Sequence, residues 1–214
     1  MQNSNLLVRA TQVSALLTQP RSKSETISET AKSMIEAVAL KDLYGIEESF
    51  ESKYTDKGLM MEATAIELVN RLLFGEYKKN EERANNGRFA GTPDVVWGKE
   101  IRDVKCSWSA QTFPWTIEAA LKQIKKGGYE EQVRTYMMLF DCDVAYIDFC
   151  LLSTPDFLLR EAEFEAHQYD HIPESKRLTS VRFDRDREWE DKANAAWEVA
   201  NQYYLEFVEQ LKMK

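Results

Sequence analysis

The chain has 214 residues, 43% of them hydrophobic and 30% charged, and 28 Lys and Arg stand against 36 Asp and Glu for a formal charge of −8. That length suits one domain with helical additions, and the apolar share supplies a true core, which excludes disordered, collagen-like and low-complexity classes. The acidic balance speaks against wholesale electrostatic wrapping of nucleic acid, but it is compatible with an enzyme that holds metal ions on carboxylates and touches DNA through a local basic patch.

The polar opening, to about Lys23, carries a short helix after Thr11, marked by Leu16 and Leu17. Ser24 to Tyr44 reads as a helix closed at Gly45, and the charged stretch Glu47 to Asp56 as irregular. A helix follows from Gly58 to Phe74, with Leu59, Ile66, Val69 and Leu73 at helical spacing and Gly75 at its C-terminus. Lys78 to Arg88 reads as a loop or hairpin. Phe89 to Trp97 and Ile101 to Trp108 read as paired strands around a Gly98-Lys99-Glu100 turn. Ser109 to Pro114 is a loop. Thr116 to Lys126 and Tyr129 to Phe140 are helices separated by Gly127 and Gly128. Val144 to Leu152 is nearly all apolar, as in a strand buried on both faces. Pro155 to Ser180 has no clear pattern. From about Asp186 to Met213 runs an amphipathic helix with Trp189, Ala193, Trp197, Ala200, Tyr204, Phe207 and Leu211 along its apolar stripe. This order points to a mixed α/β core flanked by helices.

No apolar run reaches the ~20 residues of a bilayer span, and the first residues lack a basic segment followed by an apolar block. Neither a membrane helix nor a secretory signal is expected. Cys106, Cys142 and Cys150 are too few, and wrongly spaced, for a disulfide scaffold, a zinc ribbon or a four-cysteine iron–sulfur site. A reducing cytoplasm is the expected compartment, the host's if the chain is phage-encoded.

Four short patterns carry possible chemistry. On the strand Ile101 to Cys106, alternation points Asp103 and Lys105 one way and Val104 and Cys106 the other. Gly91-Thr92-Pro93-Asp94 leads into the preceding strand, so a hairpin brings Asp94 near Asp103. Adjacent carboxylates repel, and a divalent cation with a preference for oxygen ligands, such as Mg²⁺, removes that penalty. Glu62 falls between Leu59, Ile66 and Val69 on its helix. A glutamate there either meets a basic partner or serves as a third acidic ligand. Gln132 and Tyr136 share one helical face. Taken singly, each pattern is equally an exposed Asp–Lys pair, a turn, a rotated helix or a chance spacing.

In chain order these patterns are K-G-x-x-x-E (Lys57, Gly58, Glu62), G-x-P-D (Gly91, Pro93, Asp94), D-V-K-C (Asp103, Val104, Lys105, Cys106) and Q-x-x-x-Y (Gln132, Tyr136). Over about Tyr54 to Leu152 the chain resembles the PD-(D/E)xK nuclease superfamily, nearest its RecB-like and phage lambda exonuclease-like (YqaJ-type) branch. The resemblance implies a restriction-endonuclease-like α/β fold in a single domain over 1–214. A mixed central β-sheet would be flanked by helices, with N-terminal helices and a long C-terminal helix. It implies a metal-dependent DNA exonuclease acting 5′→3′ from the ends of linear duplex, in phage recombination. On that basis Asp94, Asp103 and the Val104 carbonyl hold Mg²⁺ or Mn²⁺. Glu62 contributes to a second metal or orients a bound water. Lys105 orients the attacking water and stabilises the phosphate. Gln132 and Tyr136 buttress the site or touch the DNA backbone.

Two departures favour the lambda-type branch over CRISPR-associated members: no four-cysteine set, and Glu62 where a histidine often stands. Lambda-type enzymes use an N-terminal serine for a terminal 5′-phosphate. Thr11 is its counterpart here, unless it is a plain helix cap. Lys122, Lys125 and Lys126 share a face that either lines a DNA groove or complements a helix C-terminus. Trp108 reads as core, while Phe113 and Trp115 either pack or stack on an unpaired base. His167 and His171 have zinc spacing but no third ligand, and Cys106 reads as a small buried filler. The partners implied are linear duplex DNA, further copies of the chain in a ring, and a single-strand-annealing recombinase. The alternatives are an endonuclease on the same core, a catalytically silent DNA-end-binding protein, and an unrelated α/β protein.

Overall fold

The structure, a computed structural model, describes residues 5–47 and 52–213. A two-residue strand β1 (Val8–Arg9) leads through a 3₁₀ turn into the short helix α1 (Val13–Leu16). Helix α2 (Glu29–Tyr44) starts later than the sequence pattern suggests, because Ser28 Oγ accepts from the Ala31 amide at 3.1 Å and caps it there. It ends at Gly45 in the left-handed conformation. Helix α3 (Lys53–Leu73) starts earlier than expected, because Ser52 caps it through the Thr55 amide, so the C-terminal end of the stretch read as irregular is helical. The residue before that cap, back to 48, lies outside the described residues. Phe74, not Gly75, takes the left-handed position at its end. The buried side of α3 carries Lys57, Ala65, Ile66, Leu68 and Val69, whereas Leu59 and Leu73 are exposed.

The single strand expected from Phe89 to Trp97 is two. Strand β2 (Ala84–Asn85) and strand β3 (Phe89–Gly91) form a small sheet with β1, in the order β1-β3-β2. Pro93 then breaks the run, because it has no amide hydrogen for a ladder. Strand β4 (Val95–Trp97) opens the main sheet, paired antiparallel with β5 (Glu100–Cys106). Helices α4 (Ile117–Gly127) and α5 (Tyr129–Phe140) follow, joined at Gly128. Gly128 has φ +67°, and a Cβ there would lie 2.3 Å from Ser14 Oγ, so a side chain is excluded on both counts. Strand β6 (Val144–Cys150) runs parallel to β5. Short 3₁₀ turns between Asp156 and Lys176 lead to β7 (Leu178–Asp184), antiparallel to β6. Helix α6 (Arg187–Met213) closes the described chain.

The main sheet therefore runs β4-β5-β6-β7, the mixed α/β arrangement expected from the motifs. One face packs Ile101, Ile147 and Phe149 against Ile124 of α4 and Val133 and Met137 of α5. The other packs Val95, Val104 and Cys150 against Ala65, Ile66 and Leu68 of α3. A third cluster joins Leu6, Val8 and Ile35 to Trp197, Ala200 and Tyr204 of α6. Strand β6 is buried on both faces, as its composition required. Among the described residues, no helix is long and apolar enough to cross a membrane.

Candidate active site

Strand β5 is where the sheet turns chemical. Its register pairs Val95 with Arg102, which sets Asp94, one residue before β4, beside Asp103. Asp94 Oδ2 accepts from the Val104 amide at 2.7 Å, taking the ladder position that the proline-containing segment leaves open. Asp103 is 1% exposed. Its Oδ1 accepts from Gln132 Nε2 at 3.2 Å, and that nitrogen also donates to Tyr136 Oη at 2.9 Å. Lys105 Nζ lies 2.6 Å from Asp103 Oδ2 and 4.8 Å from the centre of the Tyr129 ring. Among the described residues Oδ2 is buried and meets no donor besides this lysine.

The electrostatics are those of like charges held together. Burial pushes the Asp94 carboxyl up to about 7, the Asp103 charge adds to this, and Lys105 and the Val104 amide pull against it. Burial disfavours the Lys105 ammonium, yet Asp103 and Asp94 overcome that and raise its pKa. Burial also takes the Tyr136 hydroxyl up to about 12. A Cβ on Gly91 would stand 2.5 Å from Tyr136 Cε1, so the glycine of one motif makes room for the tyrosine of another.

Glu62 reaches the same cleft, of about 550 Å³, from α3. Its carboxylate is held by Lys79 Nζ at 3.1 and 3.2 Å. Of the two options left open for this residue, the basic partner is found, and Glu62 also lines the cleft that holds the acidic pair. Among the described residues, no three acidic, histidine or cysteine side chains stand as a ready-made cluster. Asp94 and Asp103 converge, while Glu62 lines the cleft without closing a trio.

Other expected residues fall elsewhere. Thr11 is exposed within the 3₁₀ turn, caps neither that turn nor α1, and does not line the cleft. Lys122, Lys125 and Lys126 are exposed on α4, and Lys122 is paired with Glu118 at 2.7 Å. The residue of α4 that faces the cleft is Gln123. Phe113 is buried, Trp108 is half-buried against Tyr54 at 4.9 Å, and Trp115 is 49% exposed. His167 is buried with Nδ1 3.1 Å from Thr154 Oγ1, and no helix links it to His171, so the zinc spacing is incidental. Burial takes the Cys106 thiol up to about 12, as suits a filler rather than a nucleophile.

No family model matches the sequence, and no curated protein matches it. Among solved structures, a phage-related exonuclease from Haemophilus somnus 129PT superposes with a TM-score of 0.90, at 34% identity over 97% of each chain. The chain belongs to the phage-related exonuclease family. The lambda exonuclease-like branch of the PD-(D/E)xK superfamily, inferred from its motifs, is therefore its place. An alkaline exonuclease from Laribacter hongkongensis shares the fold, with a TM-score of 0.71 and 15% identity over 96% of this chain and 91% of that one. A structure of the same enzyme in complex with dAMP gives 0.65 and 14% over the same shares.

Three residues of this exonuclease's site escaped the sequence reading. Tyr129 packs its ring under Lys105. Lys79 sits in a charged connection whose course no pattern reveals. Lys57 was visible only as a motif letter. It is fully buried, and Nζ donates to the carbonyls of Ser107, Trp108 and Leu152 at 2.8, 3.0 and 2.8 Å. Burial draws its pKa down to about 8, but only the ammonium form supplies three donors for three carbonyls. Lys57 fastens α3 to the ends of β5 and β6, and so fixes the helix that carries Glu62. A signal existed: Lys57, Met61, Ala65 and Leu68 recur at helical spacing, so Lys57 belongs to the buried stripe.

Proposed function

We propose that this exonuclease hydrolyses phosphodiester bonds of DNA from the ends of a linear duplex, with Mg²⁺ or Mn²⁺ held by Asp94 and Asp103 and the Val104 carbonyl. The observation that carries the reading is the meeting of Asp94, just before β4, with Asp103 and Lys105 of β5. The donor set fits the ion. Two hard oxygen ligands repel one another, burial together with that repulsion holds one acid at about 7, and among the described residues Asp103 Oδ2 has Lys105 alone beside it. When bound, the cation supplies charge to polarise the phosphate and to activate a water.

The chain's own residues do the rest. Lys105 stays an ammonium, so it donates to the attacking water or to a phosphate oxygen and does not act as a base. Gln132 holds Asp103 in place through its amide. Tyr136 accepts from Gln132 and keeps its own proton free for a backbone oxygen. Glu62 would help to hold a second ion or orient a bound water. The dAMP complex of the alkaline exonuclease supports a deoxynucleoside monophosphate as product. The 5′→3′ polarity, a ring of copies, and a recombinase partner in phage recombination follow from the lambda-type resemblance.

The test is incubation of linear duplex, covalently closed circles and single strands, each with Mg²⁺ or EDTA, the linear species labelled at one end. Linear duplex degraded stepwise from the 5′ end, with circles intact and EDTA inhibitory, is the expected result. Cleavage of closed circles replaces the reading with an endonuclease. Degradation unchanged by EDTA removes the metal.

A further inference from the structure

Two lysines meet the acids that line the cleft. Lys105, in the cleft, lies against Asp103, and Lys79, from outside its lining, lies against Glu62, while the one hydrogen bond to the Asp94 carboxylate among the described residues comes from the Val104 amide. The two lysines are not equivalent. Lys105 stands on β5, its side chain 24% exposed. Lys79 reaches in from the connection between α3 and β2, and its side chain is 52% exposed where that of Glu62 is 15% exposed.

The connection is nonetheless fixed on both sides of Lys79. Before it, the Asn70 side chain accepts from the Tyr77 amide at 2.7 Å and donates to the Tyr77 carbonyl at 2.9 Å. After it, the Asn80 amide donates to the Asp94 carbonyl at 2.7 Å, and Asn80 Nδ2 donates to the Pro93 carbonyl at 3.1 Å. Lys79 is therefore delivered to Glu62 by backbone built onto the very segment that carries Asp94. It is not a surface lysine that happens to swing by. A half-exposed pair of this kind is weak enough to open, since water screens it and the lysine gives up side-chain freedom to hold it. Asp103 Oδ2, by contrast, is buried against Lys105 Nζ at 2.6 Å and accepts no other donor among the described residues.

We propose that Lys79 is a built-in counter-ion that competes with a divalent cation for Glu62. Glu62 joins the site only when Lys79 lets go. The inference rests on the metal-dependent reading above. Lys79 thus raises the cation concentration at which the third acid is recruited, and keeps the cleft nearly neutral before then.

The experiment is titration of the full chain with Mn²⁺ alone, without DNA, followed by calorimetry and by the electron paramagnetic resonance of free Mn²⁺. The proteins compared are wild type, Lys79→Met, Glu62→Gln and the double variant. Lys79→Met should tighten the weaker Mn²⁺ binding step by about fivefold, the upper worth of an exposed pair. Adding Glu62→Gln should erase that gain, with the double variant binding as Glu62→Gln does. Thermal melts should show that Lys79→Met stays folded. Mn²⁺ binding that is unchanged or weakened by Lys79→Met overturns the proposal and leaves the nuclease reading standing. Wild type that binds no Mn²⁺ overturns both.

Discussion

The two faces of β5 bury charge in opposite ways. On the α3 side, Arg102 is 4% exposed and bonds Asp148 at 2.7 Å and Glu100 at 2.6 Å. Its guanidinium lies 4.6 Å from the Tyr77 ring and 4.2 Å from that of Tyr146. On the other side, Asp103 is as deeply buried but has Asp94 for a neighbour and Lys105 for a counter-ion. One face encloses a cation between acids and aromatic faces, and among the described residues Asp148 Oδ1 and the neighbouring Ser180 Oγ stay without a partner. The other crowds acids together around a single lysine. Burial of charge is common to both. What separates a structural network from a reactive site is that like charges abut in the second, and that their repulsion is left for a ligand to relieve.

The comparison is broken most severely by exchanging the consequences of the two faces. Asp103→Asn and Lys105→Ala should each lower DNA degradation on the order of 10³-fold. The fold should survive, because Asp103→Asn also removes a repulsion; its melting temperature should stay within about 5 °C of wild type. End-labelled duplex digestion and thermal melts measure the two quantities. Wild-type digestion by either variant would remove these residues from the reaction.

Arg102→Met should do the reverse. It strands Asp148 and Glu100 beside an apolar side chain and should cost about 3 to 5 kcal/mol in urea unfolding. Pairing it with Asp148→Leu should recover most of that loss, since the fully buried charge goes with its partner and Glu100, its side chain 22% exposed, keeps contact with water. A cost below about 1 kcal/mol would mean that the α3-side network is no more structural than a surface pair.

The acidic face should also be readable by pH. The Asp94 carboxyl titrates near 7 in the fold against an ordinary value of 3.8. Between those values the folded chain binds the extra proton, so stability without metal should fall as pH rises from about 4 to about 7. Cation binding needs the carboxylate. Mn²⁺ affinity should therefore rise across the same interval, by up to about tenfold per pH unit, with a proton released on binding. Asp94→Asn should flatten the stability slope, and a slope that persists in that variant would assign it to another group.

Most of this site was legible because it lies on regular elements. Alternation placed Asp103 and Lys105 together, the hairpin delivered Asp94, and helical spacing aligned Gln132 with Tyr136. The fold class followed from the same periodicities. What was not legible depends on contacts distant in the chain. Two-residue strands such as β1 have no period to detect, and β1 exists only because Phe89 and Ala90 offer it a parallel edge. The break before Asp94 is signalled by Pro93, yet the use of a side chain in place of the ladder is a tertiary outcome. Helix α3 began early because Ser52 outweighed a charged composition. Lys79 was hidden because a connection's course is fixed by Asn70 and Asn80, which no spacing rule reads.

The smallest expected effect sharpens the account of how the acidic face is braced. A methyl at Gly91 meets Tyr136 Cε1 at 2.5 Å, Tyr136 Cδ1 at 3.1 Å and the Ala10 Cβ at 3.0 Å. Ring atoms of a buried tyrosine cannot yield as a flexible chain end does, so Gly91→Ala should cost about 1 to 3 kcal/mol. The ring is also the partner of Gln132, and Gln132 holds Asp103. Displacing it should therefore lower DNA degradation as well, by about tenfold, although residue 91 touches no acid. Tyr136→Leu in the same chain should restore stability by freeing space, but not activity, because the hydrogen bond is still missing. Urea unfolding and end-labelled digestion of the single and double variants separate the two effects. If the double variant regains both, Tyr136 matters only as volume, and the bracing of Asp103 must be sought in Gln132 alone.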